Sequence, residues 1–222
     1  IQQAQKRVNQ FVLKTPLIES PYFSQLTNSR VYFKLENEQY TGSFKIRGAT
    51  NKVLSLTEEE KHKGVVTAST GNHGQALARA SKIAGIKCIV FVPKNADPAK
   101  VKAIKSYGAN IEFFGDTSSD TIIHAQARKI AKEKGMVWVS PYNDEQIIAG
   151  QGTIGVEIKE QLNNIDVIFI TIGGGGLISG IGTYLKSVTP KTKIIGCLPE
   201  NSAEMYESIK SGKFVDSHNI DT

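Results

Sequence analysis

The sequence has only two cysteines and no apolar run long enough to span a membrane. Cys88 and Cys197 each lie in a short apolar run without the C-x-x-C spacing of redox or metal sites, which predicts buried, reduced thiols. Neither a secretory signal nor an Asn-x-Ser/Thr sequon is visible. We therefore expect a cytoplasmic protein that makes no contact with a membrane.

Concentrated basic charge is also lacking. The 27 lysines and arginines exceed the 21 acidic residues by six, and the sequence pI is about 9.2. The basic residues are nevertheless scattered at helical spacing, and aromatic residues flank no basic run. This pattern is typical of solvated helix faces, so we predict that the protein binds no nucleic acid. A P-loop is excluded, because G-x-x-x-x-G-K-[ST] occurs nowhere in the chain.

The sequence does contain a regular alternation of short β-rich runs and segments of helical periodicity. The predicted strands are residues 31–35, 64–68, 87–92, 110–114, 136–139, 166–172 and 193–198. The predicted helix signals are a capping box at Thr57, an Asp97-Pro98 start, and closing glycines at Gly85 and Gly135. Strand, helix and strand at this spacing predict an α/β fold with a mostly parallel sheet.

Open parallel sheets bind ligands where strands lead into helices, and three such junctions are unusual here. The first is residues 41–49 (Thr-Gly-Ser-Phe-Lys-Ile-Arg-Gly-Ala), in which Ser43 is a candidate N-cap. Taken alone, Lys45 is best explained as a solvated first-turn lysine, although cations are disfavoured at a helix N-terminus. A lysine placed there is also suited to covalent chemistry, such as a Schiff base.

The second junction is residues 67–75 (Thr-Ala-Ser-Thr-Gly-Asn-His-Gly-Gln), where small hydroxyl residues and glycine precede a helix. Backbone N–H groups at such a helix start suit a carboxylate or a phosphate. An ordinary turn capped by Asn72 explains this segment about equally well when it is considered alone. His73 has no partner at metal-ligand spacing, so it does not predict a metal site.

The third junction holds four consecutive glycines, followed by Leu177. These are Gly173, Gly174, Gly175 and Gly176, here called the glycine loop. Because glycine is costly in ordered structure, the run indicates close backbone approach to another group, and we favour a phosphate over a packing role. The four glycines lack G-x-G-x-x-G spacing, which disfavours a dinucleotide. A reactive lysine, a phosphate site and a second anion site together predict a cofactor with a phosphate and an aldehyde.

These segments, in this order, resemble the fold-type II pyridoxal-phosphate (PLP) enzymes, and most closely the threonine dehydratases and serine racemases. The matching segments are residues 43–49, 69–75, 140–144, 149–157 and the glycine loop. The resemblance covers essentially the whole chain and implies two mostly parallel open sheets with flanking helices. It also implies a homodimer and a C-terminal part that is missing from this sequence.

The resemblance implies a role for each site residue. Lys45 would carry the PLP cofactor as a Schiff base and later move the substrate α-proton, and Phe44 would pack beside the cofactor ring. Asn72 would hydrogen-bond the phenolic oxygen of the cofactor. The phosphate would be bound by backbone amides of Gly173, Gly174, Gly175, Gly176 and Leu177. The carboxylate of an amino-acid substrate would be bound by Ser69, Thr70, Gly71 and His73.

The reaction implied by the resemblance is dehydration and deamination of L-threonine or L-serine, giving ammonia and a 2-oxo acid. By the same resemblance, residues 64–141 would form a small domain inserted between two parts of a large domain, residues 1–63 and 142–222. Leu198 stands where some relatives carry an acidic ligand of a divalent cation, so no metal is expected there.

Several alternatives stay open. Thr70 stands where racemases of this group carry a catalytic serine, which favours dehydration over serine or amino-acid racemisation. A 3-hydroxyaspartate dehydratase fits the same motifs, whereas a β-replacing enzyme such as cysteine synthase differs at the corresponding loops. A catalytically silent ligand-binding module on the same fold is the alternative from a different class. Lys45, Asn72 and the glycine loop argue against it.

Overall fold

The computed structural model describes residues 1–115 and 120–215, except for the side chains of residues 120 and 121. The α/β class is confirmed, because parallel strands alternate with helices along most of this part of the chain. The strands are β1 (Leu17–Glu19), β2 (Tyr32–Lys34), β3 (Val65–Ala68), β4 (Cys88–Pro93), β5 (Asn110–Phe114), β6 (Val137–Trp138), β7 (Val167–Thr171) and β8 (Lys193–Cys197). The helices are α1 (Gln2–Val8), α2 (Pro21–Thr27), α3 (Lys45–Leu54), α4 (Glu58–Lys63), α5 (Asn72–Ala84), α6 (Pro98–Ser106), α7 (Asp120–Glu133), α8 (Glu145–Gln161), α9 (Gly176–Val188) and α10 (Glu204–Ser211).

The described strands form three sheets. The largest is fully parallel with the order β5-β4-β3-β6, and Val66 lies beside Ile89 of β4 and Trp138 of β6. Strands β7 and β8 form a parallel pair, whereas β1 and β2 pair antiparallel. Each of the seven predicted strands is observed, and β1 is the strand that the sequence pattern did not predict. Three residues are too few to show a period of two.

Some helix ends follow the local sequence signals. The Thr57 hydroxyl accepts a hydrogen bond from Glu60 N at 3.2 Å, while the Glu60 carboxylate accepts one from Thr57 N at 2.9 Å, which confirms the capping box. Gly85 ends α5 with a φ of 67°, in the left-handed region that favours glycine. Asp97 caps α6 by accepting a 2.8 Å hydrogen bond from Ala99 N.

Two predicted caps are wrong. Helix α5 begins at Asn72 itself, and its N-cap is Gly71, which has no side chain to cap with. Helix α3 has Phe44 as its N-cap, and Ser43, one residue earlier, accepts only a long bond of 3.4 Å from Lys45 N. Helices α3 and α5, which carry predicted site residues, therefore start without a strong side-chain cap, so their first N–H groups keep donor capacity.

The buried apolar residues form three clusters. The first lies between α3, α5 and one face of the four-stranded sheet, and it includes Ile46, Leu77 and Val90. The second covers the opposite face of that sheet under α7, and the third packs α8 and α9 against β7. Because the first cluster contains residues on both sides of residue 64, no break in the core marks the predicted domain boundary. The domain division stays a prediction.

Both cysteines are free thiols. Cys88 is buried in β4, and burial raises the pKa of its thiol to about 12. Cys197 is exposed, so the prediction of a second buried thiol is wrong. Within the described residues β8 pairs only with β7, which leaves the end of this strand uncovered. No described helix combines the length and the hydropathy that a membrane span requires.

Helix α8 packs directly against both α3 and α9, and glycines make this close approach possible. A Cβ atom added at Gly150 would lie 2.5 Å from Gly48 Cα of α3. A Cβ atom added at Gly152 would lie 2.9 Å from Gly180 O of α9. By packing against both helices, the backbone of α8 fixes the position of α3, which starts at Lys45, relative to α9, which follows the glycine loop.

Residues 150–155 (Gly-Gln-Gly-Thr-Ile-Gly) do have G-x-G-x-x-G spacing, although the glycine loop does not. The dinucleotide motif requires a turn between a strand and a helix. Here all six residues lie inside α8, and Gly155 faces the ring of Tyr184 on α9. In this chain the spacing therefore serves helix packing.

Candidate active site

Lys45 is the first residue of α3, and its side chain crosses to the loop that precedes α8. Its Nζ donates a 2.7 Å hydrogen bond to the carbonyl oxygen of Pro141 and lies 5.4 Å from the centroid of the Phe44 ring. Burial lowers the pKa of Lys45 from 10.5 to about 8. At pH 7 about one tenth of such an amine is unprotonated, far more than of an ordinary lysine. Burial thus makes Lys45 better suited to nucleophilic chemistry near neutral pH than an ordinary lysine.

A buried ion-pair network fixes the helix that carries Lys45. The Arg47 guanidinium is fully buried and binds the carboxylates of Glu36, at 2.8 Å from both Nε and Nη2, and of Glu157, at 2.6 and 2.9 Å. It also donates to Leu13 O at 3.1 Å and to the Thr153 hydroxyl at 3.3 Å. The two bidentate pairs fix the rotation of α3 about its own axis. This rotation sets the direction in which the Lys45 side chain projects from the helix.

Lys34 completes this network. Its Nζ donates to Glu157 at 2.6 Å, to Thr15 O at 2.7 Å and to Gln161 Oε1 at 2.9 Å. Two cations, Arg47 and Lys34, thus balance two carboxylates, Glu36 and Glu157. A buried network of zero net charge with satisfied hydrogen bonds is rigid, and removing one member leaves an uncompensated charge.

The start of α5 holds the second predicted site. Ser69 N donates to Phe91 O of the neighbouring strand at 3.2 Å, and the Ser69 hydroxyl accepts from Gly71 N at 3.2 Å. A Cβ atom added at Gly74 would lie 2.5 Å from Ser69 O, so glycine lets the helix start close to the strand end. Thr70 and Gly71 are half-buried, and Asn72 is exposed. These groups lie between the carboxyl end of β3 and the start of α5.

The imidazole of His73 is buried beneath this helix start. Its Nε2 lies 3.4 Å from Val139 O, and its Nδ1 has no hydrogen-bond partner among the described residues. Burial, and then the charge of Lys45, lower the pKa of His73 to about 3. The ring is therefore neutral at physiological pH, so any attraction of His73 for an anion comes from its backbone N–H at the helix start.

The four glycines of the glycine loop differ in their surroundings. Gly173 has no atom within 4 Å of the position that a Cβ would take, and Gly175 adopts a φ of 82° as the N-cap of α9. A Cβ atom at Gly174 would lie 2.5 Å from Tyr142 Cδ1, and one at Gly176 would lie 2.8 Å from Tyr142 O. Close contact with Tyr142 therefore requires Gly174 and Gly176, while Gly173 is open and Gly175 faces Met205 Cε, at 3.2 Å from its Cβ position.

All three predicted junctions meet at one short stretch, residues 139–142, here called the junction segment. His73 and the hydroxyl of Thr67 approach Val139 O, at 3.4 and 2.8 Å. Lys45 binds the next carbonyl but one, that of Pro141, and the glycine loop packs on Tyr142. The structure thus brings together the reactive amine and two helix N-termini, which is the arrangement that an anionic, lysine-reactive ligand needs.

The remaining predicted residues lie at the edge of this group. Phe44 and Leu177 pack against the third apolar cluster and also line a cavity of about 1080 Å³ between β2 and β7. That cavity is not lined by Lys45, Asn72 or the glycine loop. The candidate site therefore lies at the strand ends around the junction segment and not in this cavity.

Sequence reasoning named residues 140–144 as a matching segment but predicted neither the contacts of the junction segment nor the Arg47 network. The contacts of Pro141 with Lys45 and of Glu157 with Arg47 join residues that are about one hundred positions apart, which no local pattern signals. The one usable signal was Arg47 itself, an arginine two residues after a reactive lysine. Among the described residues, no group of three or more His, Cys, Asp or Glu side chains has the arrangement of a metal site.

The residues present fit PLP. The uncapped start of α9 with its open Gly173 suits a phosphate, and the Lys45 amine suits an aldehyde. The start of α5 at Asn72 offers a further anion site, and His73 of this helix contacts the junction segment at Val139 O.

Comparison with known proteins agrees with this chemistry. The family described as pyridoxal-phosphate dependent enzyme matches residues 8–222. The chain is 44% identical to the catabolic L-threonine dehydratase of Staphylococcus aureus, over all of this chain and 64% of that relative. It therefore spans less than two thirds of that relative's length.

Two solved structures are similar over nearly the whole chain. Serine racemase from Dictyostelium discoideum shares 40% identity and superimposes with a TM-score of 0.89, over 96% of this chain and 68% of that one. The processed form of threonine deaminase isoform 2 from Solanum lycopersicum shares 36% identity with a TM-score of 0.93, over 97% of this chain and 62% of that one. With the family match, these comparisons establish that the chain belongs to the pyridoxal-phosphate dependent enzymes.

Proposed function

We propose that this chain binds PLP through Lys45 and catalyses the dehydration and deamination of L-threonine or L-serine to ammonia and a 2-oxo acid. The observation that carries the proposal is the convergence of the Lys45 amine and the starts of α5 and α9 on the junction segment. The names of the similar proteins, L-threonine dehydratase and threonine deaminase, support the reaction class.

The proposal assigns the cofactor to residues of α3, α5 and α9. Lys45 bonds covalently to the cofactor, Phe44 packs beside its ring, and Asn72 hydrogen-bonds its phenolic oxygen. The phosphate is held by the amides of Gly173, Gly174, Gly175, Gly176 and Leu177. When bound, PLP supplies an electron-withdrawing group that acidifies the substrate α-carbon.

The substrate is held at the start of α5. The proposal assigns its carboxylate to Ser69, Thr70, Gly71 and the backbone N–H of His73, where partial positive charge from the helix favours an anion. His73 stays neutral, so it adds no second cation beside Lys45. Once its amine is free, Lys45 Nζ accepts the α-proton, and its lowered pKa keeps a usable fraction unprotonated at neutral pH. The β-hydroxyl of the substrate then takes up a proton and leaves as water, and the released enamine reacts with water to give ammonia and the 2-oxo acid.

The proposal extends to domain organisation, location and assembly. Residues 64–141 would form a small domain inserted between residues 1–63 and 142–222, which is supported by the four-stranded sheet that lies within them. Two free cysteines support a cytoplasmic location. A homodimer is supported by exposed apolar side chains, such as Tyr22 and Leu26 on α2, which suit an interface.

The experiment is a titration of the protein with PLP, followed by addition of L-threonine. We expect a visible absorption band from the lysine-bound cofactor, trapping of that cofactor on Lys45 by borohydride, and accumulation of a 2-oxo acid after substrate is added. Lys45→Ala should lose the band and the trapped peptide, and Lys52→Ala, in the same helix but paired with Asp144, should keep both.

The outcomes separate the parts of the proposal. Absence of the band and of the trapped peptide after PLP addition would contradict the cofactor site. A band with no 2-oxo acid from L-threonine or L-serine would contradict the reaction, and 3-hydroxyaspartate would be the next substrate. Accumulation of D-serine from L-serine without 2-oxo acid would indicate racemisation, the activity named for the Dictyostelium relative.

A further inference from the structure

Tyr142 lies against the glycine loop with both its ring and its backbone. The ring covers the side of Gly174 where a Cβ would project, with Cδ1 and Cδ2 at 2.5 and 2.6 Å from that position. The Tyr142 backbone covers Gly176, with O and Cα at 2.8 and 3.1 Å from its Cβ position. One residue thus fixes two of the four glycines by direct contact.

Tyr142 is itself held in place. The preceding Pro141 restricts the backbone, and the Ser140 hydroxyl accepts a 3.0 Å hydrogen bond from Asn143 N, closing the turn around Tyr142. On its other side the tyrosine ring lies 6.5 Å, centroid to centroid, from the imidazole of His124 on α7. Tyr142 is 37% exposed, so part of the residue remains accessible to solvent.

The same turn also holds the reactive amine, because Lys45 Nζ binds the carbonyl of Pro141, the residue before Tyr142. Lys45 Nζ and the glycine loop therefore contact two adjacent residues, Pro141 and Tyr142, and the peptide bond between these residues fixes how far apart the two contacts are. PLP is a rigid ring whose aldehyde and phosphate are a fixed distance apart. A cofactor held at both ends needs that separation to match its own length.

We propose that Tyr142 is a positioning residue of the cofactor site, whose ring holds the glycine loop at the distance from Lys45 that lets one PLP molecule reach both. This inference rests on the proposed function, because it takes Lys45 and the glycine loop as the two ends of the PLP site. It assigns the Cβ-facing sides of Gly174 and Gly176 to contact with Tyr142 and leaves the backbone amides of the loop for the phosphate.

The test compares the affinities for PLP and for pyridoxal, which has the aldehyde but no phosphate. Both are titrated against the wild type, Tyr142→Phe and Tyr142→Ala, with the visible absorption of the lysine-bound aldehyde as readout. Tyr142→Ala should weaken PLP binding about tenfold or more, while pyridoxal binding changes less than about twofold, since only PLP needs both ends matched. Tyr142→Phe keeps the ring and should behave like the wild type.

A double-mutant cycle tests the contact itself. Gly174→Ala places a Cβ against the Tyr142 ring, so it should weaken PLP binding by about tenfold or more in the wild-type background. In the Tyr142→Ala background that obstacle is gone, and the same change should cost less than about twofold. Phe113→Ala, a 53% exposed aromatic residue on β5, is the control and should leave both affinities unchanged.

The inference is overturned if Tyr142→Ala leaves the ratio of the affinities for PLP and pyridoxal unchanged. This would be the result if the variant weakened neither ligand, and also if it weakened both equally. It is equally overturned if Gly174→Ala costs the same in both backgrounds, since the glycine would then serve the ligand directly. Far-ultraviolet circular dichroism and the melting temperature show whether each variant is folded, and Tyr142→Leu replaces Tyr142→Ala if the latter is not. Failure of the wild type to bind either aldehyde would instead contradict the proposed function.

Discussion

Lys45 Nζ donates a 2.7 Å hydrogen bond to the carbonyl oxygen of Pro141, which lies 96 residues further along the chain. The acceptor is a neutral carbonyl, so it orients the amine without the strong stabilisation of the ammonium that a carboxylate would give. Burial is consequently what shifts the pKa of Lys45, to about 8. The pairing explains how one side chain is both fixed in direction and reactive near neutral pH.

Lys45→Met should make the protein more stable at neutral pH when no cofactor is bound. The folded pKa of about 8 lies below the ordinary 10.5, so between these values the unfolded chain binds more protons and wild-type stability rises with pH. Below pH 8 the folded wild type must bury a charged Lys45 ammonium, which lowers its stability by up to about 3 kcal/mol, whereas the methionine variant has no such cost. Urea unfolding at pH 7 and pH 10 should therefore give a larger difference between the two proteins at pH 7. An equal difference at both pH values would contradict the lowered pKa.

Arg47→Met should destabilise the protein by about 3–5 kcal/mol, because it leaves the carboxylates of Glu36 and Glu157 buried with only Lys34 to balance them. Lys14→Ala is the control, since its pair with Glu160 is half exposed on both sides and should cost less than about 1 kcal/mol. Chemical denaturation of both variants measures the difference. Similar small losses for the two would show that the Arg47 network contributes no more than a surface pair.

Gly150→Ala should destabilise the contact between α8 and α3 by about 1–3 kcal/mol or more, because the new methyl would meet Gly48 Cα at 2.5 Å. Gly182→Ala is the matched control within a helix. Its Cβ would find only Ile194 Cδ1, at an ordinary 3.4 Å, so higher helix propensity should leave this variant unchanged or stabilise it by up to about 1 kcal/mol. Thermal melting compares the two variants. A stabilising Gly150→Ala would refute the proposed helix contact.

His73 should remain neutral down to about pH 5. Its folded pKa of about 3 lies below the ordinary 6.5, so the unfolded chain binds the extra proton between these values and stability falls as the pH is lowered through this window. His73→Asn should remove that part of the acid sensitivity, measured as the change in unfolding free energy between pH 7 and pH 5. His62→Asn, an exposed residue of α4, controls for the loss of a histidine. NMR shifts of His73 that titrate near pH 6 would contradict the prediction.

The sequence by itself determined much of the secondary structure and the location of the chemistry. Seven strands, the capping box at Thr57 and the helix end at Gly85 follow from local periodicity and backbone preference, which short segments carry without the rest of the fold. The three glycine-rich or hydroxyl-rich junctions could be found for the same reason, because ligand-binding turns need residue types that helices and strands avoid.

Only the tertiary structure decided how these pieces work together. The pKa values of Lys45 and His73 depend on burial by segments distant in sequence, and the partner of Arg47 on α8 lies 110 residues away. The division of the glycine loop between packing and an open helix start depends on Tyr142, and the G-x-G-x-x-G run of α8 serves packing because it lies inside a helix. Desolvation and close packing arise only when distant segments meet, so no local pattern specifies them.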